Sequence, residues 1–178
     1  MGQPNISIHQ LQQEQHRNKD NLPVEKVSVL TGLDVLLSQQ VDMIQDKSIA
    51  LVTNHTGTDK NGIPNYVRLM AIESVNLKVI FSPEHGLFGE AAAGEKVTYS
   101  KKRIDLPMVI SLYGKEKKPT KSMLEGIDLI LYDIQDIGAR FYTYISTLGL
   151  VMETAGELSI PIIVLDRPNP IRGDRIEG

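Results

Sequence analysis

Five short apolar runs, four of them closing on a cluster of polar side chains, constrain this chain more than any other feature. Ser48–Thr53, Leu77–Phe81, Leu106–Leu112, Ile127–Asp133 and Ile160–Leu165 are apolar along most of their length, not at every second position. A strand with one face in water alternates, whereas a near-continuous apolar strand is buried on both faces, as in a parallel sheet. Between the runs lie stretches with helical spacing. Leu33, Leu36, Leu37 and Val41 form one, and Val67, Met70, Ala71 and Ile72 a second. Thr120 to Glu125 reads as a short helix with Thr120 as N-cap, and Tyr142 to Leu158 as a longer one through Ile145, Leu148, Met152 and Ala155. Strands alternating with helices predict an α/β fold, a doubly wound, mostly parallel sheet with helices on both faces.

The 178 residues, 41% hydrophobic and 23% charged, suit one domain with a sizeable core. Residues 1–23 are rich in Gln, Asn and His, with Ile6, Ile8, Leu11 and Leu22 as the apolar relief, and read as a flexible leader to a folded domain over 24–178. His9 and His16 fall in that leader and carry no functional weight. Ser82 to Lys102 is a long glycine-bearing segment, and loops of that length inside a domain are usually functional or mobile. The polar run Ile171 to Gly178 follows the last strand without a closing helix, so a further downstream portion is expected.

A net charge of -3 gives no basic footprint, which argues against a nucleic-acid partner. The absence of cysteine removes disulfides and thiolate metal sites. No apolar run approaches the roughly 18 to 20 residues a membrane span needs. Residues 1–20 also lack the charged start and apolar centre of a signal peptide, which fits an intracellular protein or a form with its signal removed.

In a parallel sheet all carboxyl ends face one side, so polar clusters far apart in sequence become neighbours there. Four clusters stand at those ends: Asn54-His55-Thr56, Glu84-His85, Asp133-Ile134-Gln135-Asp136, and Asp166-Arg167 with Asn169. Pro83 denies Glu84 a helical start and Gly86 permits a turn that most residues resist. One such end read alone is a solvated turn; four together predict a site.

The segment after the first strand, Asn54-His55-Thr56-Gly57-Thr58, does not supply the Gly-x-Gly-x-x-Gly of a dinucleotide site, so no cofactor is expected. Ser82 precedes a proline and lacks the Gly-x-Ser-x-Gly elbow of a serine hydrolase. His55, His85, Glu84, Asp133, Asp136 and Asp166 could ligate a divalent ion, which keeps a metal-dependent hydrolase as an alternative, although no His-Glu-x-x-His is present. Glycoside hydrolysis needs a proton donor at the leaving oxygen and a second group to stabilise the transition state or activate water. Glu84, flanked by Phe81, Pro83 and Leu87, fits the donor; Asp133, Asp136, Glu90 or the substrate itself could be the second group. Arg140, within Gly138-Ala139-Arg140-Phe141-Tyr142-Thr143-Tyr144, sets a guanidinium among aromatic rings, where it suits a carboxylate held against a sugar or simply packs on tyrosine.

Several motifs in series carry a resemblance. Ser82-Pro83-Glu84-His85-Gly86, Gly89-Glu90-Ala91-Ala92-Ala93-Gly94-Glu95, Ser111-Leu112-Tyr113-Gly114, Tyr132 to Tyr144 and Asp166-Arg167-Pro168-Asn169-Pro170 together resemble the NamZ-type exo-acting β-N-acetylmuramidases of glycoside hydrolase family 171, over about Gly32 to Gly178. The resemblance implies a Rossmann-like catalytic domain, followed in the family by a smaller C-terminal domain that helps form the cleft. It implies release of N-acetylmuramic acid from the non-reducing end of peptidoglycan fragments, a secreted or periplasmic setting at the cell wall, and Glu84 as the catalytic acid. On the same basis Asn54, His85, Asp133, Gln135, Arg140, Asp166 and Arg167 are expected to bind or support the sugar. Arg140 would meet the lactyl carboxylate of that sugar. Family members are roughly twice as long, so a non-catalytic module that binds cell-wall sugars is the alternative for this chain alone.

Overall fold

A computed structural model describes residues 29–89 and 106–176. The leader read over 1–23 and the loop beyond Gly89, including Glu90, lie outside the described residues.

The strands β1 (Lys47–Thr53), β2 (Val75–Ser82), β3 (Met108–Ser111), β4 (Leu129–Asp133) and β5 (Ile162–Val164) form one sheet in the order β3-β2-β1-β4-β5. Every neighbouring pair is parallel. The helices are α1 (Gly32–Gln39), α2 (Asn65–Met70) and α3 (Thr143–Leu158), with short 3-10 turns at Val41–Met43 and Lys121–Leu124. The α/β, doubly wound architecture read from the apolar runs is the one observed, and it is Rossmann-like as the resemblance implied.

β1 shows why its run is continuous. Successive side chains leave a strand on opposite faces, and both faces here are covered. Ile49 and Leu51 enter a layer with Leu33 and Leu36 of α1 and Leu69 of α2. Ala50 and Val52 enter the other with Val151 and Ala155 of α3 and Leu124 of the second 3-10 turn. The pairing of β1 with β2 shifts register between Ile49 and Ala50. β2 then carries Ile80 into the first layer and Val79 and Phe81 into the second.

Two helices bury only part of the face their spacing suggested: Val67 and Ile72 pack on one layer, and Leu148 and Ala155 on the other. In α2 the buried residues are Asn65, Tyr66 and Leu69, whereas Met70 and Ala71 are exposed. This helix is too short for periodicity to fix its face; its start is set instead by the Asn65 N–H, which donates to the Gly57 carbonyl at 2.8 Å. In α3 the buried side is Tyr144, Val151, Thr154 and Ala155, and Ile145 and Met152 stand 55% and 50% exposed. Apolar residues flank both possible stripes, and Tyr144 selects one because its hydroxyl has a buried partner at the sheet edge. Thr120 does occupy the N-cap position, but its hydroxyl pairs with Ser122 Oγ at 3.0 Å and not with a helix N–H. No helix among the described residues is long and apolar enough to cross a membrane.

Candidate active site

Strand order reverses direction at β1, which lies between β2 and β4. Ligands of open α/β sheets bind at such a switch point, outside the carboxyl ends of the strands. Thr53 and Asp133 are paired at the ends of β1 and β4, so Asn54 and Ile134 step off the sheet side by side.

Beneath the switch point lies a buried ionic brace. Asp133 has no exposed surface, and Arg167 grips it with Nε to Oδ1 at 2.7 Å and Nη2 to Oδ2 at 3.0 Å. Asn65 Nδ2 donates to Asp133 Oδ2 at 2.8 Å and sits within 2.7 Å of Thr53 Oγ1, which donates to the Asp133 carbonyl at 2.7 Å. Arg167 Nη2 also donates to the Thr58 carbonyl at 2.9 Å. The exits of β1, β4 and β5 are therefore tied to one carboxylate. Gly57 makes room for this: a Cβ there would run into the side chains of Asn65 and Thr53.

A neutral network lies above the brace. Asn54, 1% exposed, donates through Nδ2 to the Tyr144 hydroxyl at 2.9 Å. Its Oδ1 accepts from the Thr56 N–H at 3.0 Å and the Thr56 hydroxyl at 2.5 Å. Thr56 Oγ1 in turn accepts from the Gln135 N–H at 2.9 Å. Gln135 Nε2 reaches the Asp136 carbonyl at 2.8 Å and the Pro168 carbonyl at 2.9 Å, joining the exits of β4 and β5. Asp136 Oδ1 accepts from the Gly138 N–H at 2.7 Å, which closes its own turn.

Glu84 stands half-buried beside this network, just past buried Pro83. Behind it His85 and Gly86 take φ of 71° and 74°, two consecutive left-handed residues. Gly86 adopts that conformation freely, while for His85 it is an uncommon state of the kind that gathers at functional sites. The Tyr113 hydroxyl hydrogen-bonds the Glu84 carboxyl, whose charge, with that bond, pushes the Tyr113 phenol above its usual range. Tyr144 is pushed up to about 12, chiefly by burial and then by Tyr142, whose ring meets it edge-on at 4.8 Å; the Glu84 charge adds to the rise. Both phenols are therefore protonated hydrogen-bond donors at neutral pH. Gly89 lies against the His55 ring, placing the start of the long loop over the exit of β1.

Of the residues singled out from sequence, Asn54, Asp133, Gln135 and Arg167 join one connected network, and Glu84 and His85 lie on the adjoining turn. Arg140 and Asp166 are exposed on the same edge of the sheet, next to Phe141, 86% exposed, and to Leu165. Among the described residues no three His, Asp or Glu side chains cluster as a metal site would require. Asn65, Tyr113 and Tyr144 were not anticipated as contributors. Gly57 was the available signal for Asn65, because a glycine at a strand exit often marks a close approach.

The motifs at this edge have counterparts in known proteins. Residues 49–178 match the family model described as "Exo-beta-N-acetylmuramidase NamZ, N-terminal". The chain belongs to this family. Within the NamZ N-terminal family, it is 44% identical over 159 residues to "Peptidoglycan beta-N-acetylmuramidase NamZ" of Bacillus subtilis (strain 168). That alignment takes in 89% of this chain and 38% of the relative, so the chain spans well under half the relative's length. Two DUF1343 family proteins from Bacteroides fragilis NCTC 9343 share its fold. One superimposes with a TM-score of 0.73 at 46% identity, over 84% of this chain and 37% of the other. The second does so with a TM-score of 0.62 at 31% identity, over 80% and 36%.

Proposed function

We propose that this NamZ-type domain carries the acid catalyst of an exo-acting β-N-acetylmuramidase, releasing N-acetylmuramic acid from the non-reducing ends of peptidoglycan fragments. The observation that carries the reading is the setting of Glu84. It is a half-buried carboxyl at the carboxyl edge of the sheet, just past the end of β2 and beside the Tyr113 phenol. A carboxyl in that position suits the group that hands a proton to the glycosidic oxygen as the C1–O bond breaks.

The other residues divide by position. Arg167 and Asp133 hold the strand exits in register from below. Asn54, Gln135 and His85 shape the floor beside Glu84. Arg140, exposed on the rim and paired with no carboxylate among the described residues, is free to meet the lactyl carboxylate that separates N-acetylmuramic acid from N-acetylglucosamine. Asp166, exposed on the same edge, accepts from sugar hydroxyls in this reading.

The test uses the full-length protein and two disaccharides that differ only in whether the non-reducing sugar bears the lactyl group. Release of the terminal sugar from the muramic acid substrate, with little or none from its glucosamine counterpart, is expected. Equal cleavage of both, or preference for the glucosamine terminus, would overturn the substrate assignment.

A further inference from the structure

We propose that Tyr113 is the positioning residue of Glu84, holding the carboxyl in place and stabilising the charge that develops on it as it gives up its proton. This rests on the reading of Glu84 as the acid.

The pairing is built into the strands. β2 and β3 end in register at Ser82 and Ser111. Leu112 continues the ladder for one step, its N–H donating to the Ser82 carbonyl at 2.8 Å. Glu84 and Tyr113 therefore each stand two residues past the last matched pair. The Ser111 hydroxyl accepts from the Tyr113 N–H at 3.2 Å, turning the chain at that residue. From this turn the Tyr113 hydroxyl reaches the Glu84 carboxyl. Among the described residues, Tyr113 from the exit of β3 and Tyr144 from α3 face Glu84; Tyr144 Oη already accepts from Asn54.

The chemistry follows from which form of Glu84 the bond favours. In the acid step the proton leaves Glu84 for the glycosidic oxygen, the C1–O bond breaks, and the carboxyl becomes a carboxylate. A phenol donating to that oxygen strengthens as the negative charge grows, because charge-assisted hydrogen bonds are roughly twice as strong as neutral ones. A contact stronger in the transition state than in the ground state raises kcat and leaves KM alone. A tyrosine phenol carries its proton at neutral pH, so Tyr113 remains a donor throughout.

The experiment compares the full-length protein with Tyr113→Phe, Glu84→Gln and the double variant, on a muramic acid disaccharide and on an aryl muramide whose leaving group needs little protonation. Tyr113→Phe is expected to lower kcat on the disaccharide about ten-fold, the size of one hydrogen bond to an ionised group, with KM held within about two-fold. Ser111→Ala, which loosens the turn without touching the ring, should show the same split at smaller size. In the Glu84→Gln background, Tyr113→Phe should cost nothing further on the aryl substrate. Unchanged kcat, a loss confined to KM, or the same factor lost again without Glu84 would each overturn the proposal. If Glu84→Gln is itself fully active the acid assignment falls and this inference with it; if Glu84→Gln is inactive and Tyr113→Phe is normal, this inference alone falls.

Discussion

Arg167 and Asp133 meet through two parallel hydrogen bonds, 2.7 and 3.0 Å long, with the arginine side chain 7% exposed and the aspartate wholly buried. The pair joins the exit of β5 to the end of β4 and, through the Thr58 carbonyl, to the exit of β1. The floor of the site is thus set by an ionic contact lying under it.

Breaking that pair from one side leaves a buried charge without its partner. Asp133→Asn and Arg167→Met are each expected to destabilise the fold by about 3–5 kcal/mol. Urea unfolding followed by far-UV circular dichroism measures this; a loss below about 1 kcal/mol would show the pair to be dispensable.

Gly57 is a second way to reach the same brace. Gly57→Ala sets a methyl against Asn65 and Thr53, both of which bond to Asp133. The expected cost is about 1–3 kcal/mol, and the thermal midpoint should fall accordingly. Gly149, on α3 with open space around it, serves as the control, and Gly149→Ala should be neutral or stabilising.

These sites show how far the sequence could be read. The strands were legible because burial on both faces makes a parallel strand continuously apolar, as in Ile49-Ala50-Leu51-Val52. Glu84, Asn54, Asp133 and Arg167 were legible for the same reason, since each follows directly on such a run. Asn65 and Tyr144 were not. Asn65 begins a helix twelve residues after Thr53, where an amide usually faces water, and its burial depends on the glycine across from it. Tyr144 looks like one more apolar residue of α3 until its hydroxyl is seen against Asn54. The Tyr113 contact required the register of β2 on β3, which no local pattern encodes.

The Tyr144–Asn54 contact yields its own prediction. Tyr144→Phe keeps the ring in the core but leaves the buried Asn54 amide short of an acceptor, at a cost of about 1–3 kcal/mol. Replacing both, as Tyr144→Phe with Asn54→Leu, should cost less in stability than the sum of the single changes. Strict additivity in a thermal or urea double-mutant cycle would contradict the contact.

Acid sensitivity should arise away from the site. Asp59 is held below the usual carboxylate range: burial pushes it upward, but the Ile63 N–H at 2.9 Å, the Arg68 guanidinium and the Asn61 N–H at 2.8 Å outweigh that push. Asp34 is lowered in the same way, burial being outweighed by the Lys60 N–H at 3.0 Å and by Thr31. A carboxyl lowered in the folded state stabilises it in full above the unfolded value, about 4, and loses that contribution as pH falls through the folded value. Urea midpoints should be level near neutrality and drop below about pH 4, and Asp59→Asn should flatten the drop. An unchanged acid slope in the variant would rule out Asp59 as a source.

The central claim is that Glu84 delivers the proton to the leaving sugar, and leaving-group dependence tests it most directly. A general acid matters most when the departing oxygen is strongly basic, as in a sugar alcohol, and least for an acidic phenol. Turnover by Glu84→Gln in the full-length protein should fall at least about 100-fold on a muramic acid disaccharide, with a much smaller loss on a nitrophenyl muramide. Equal losses on both substrates, or undiminished turnover of the disaccharide, would contradict the account.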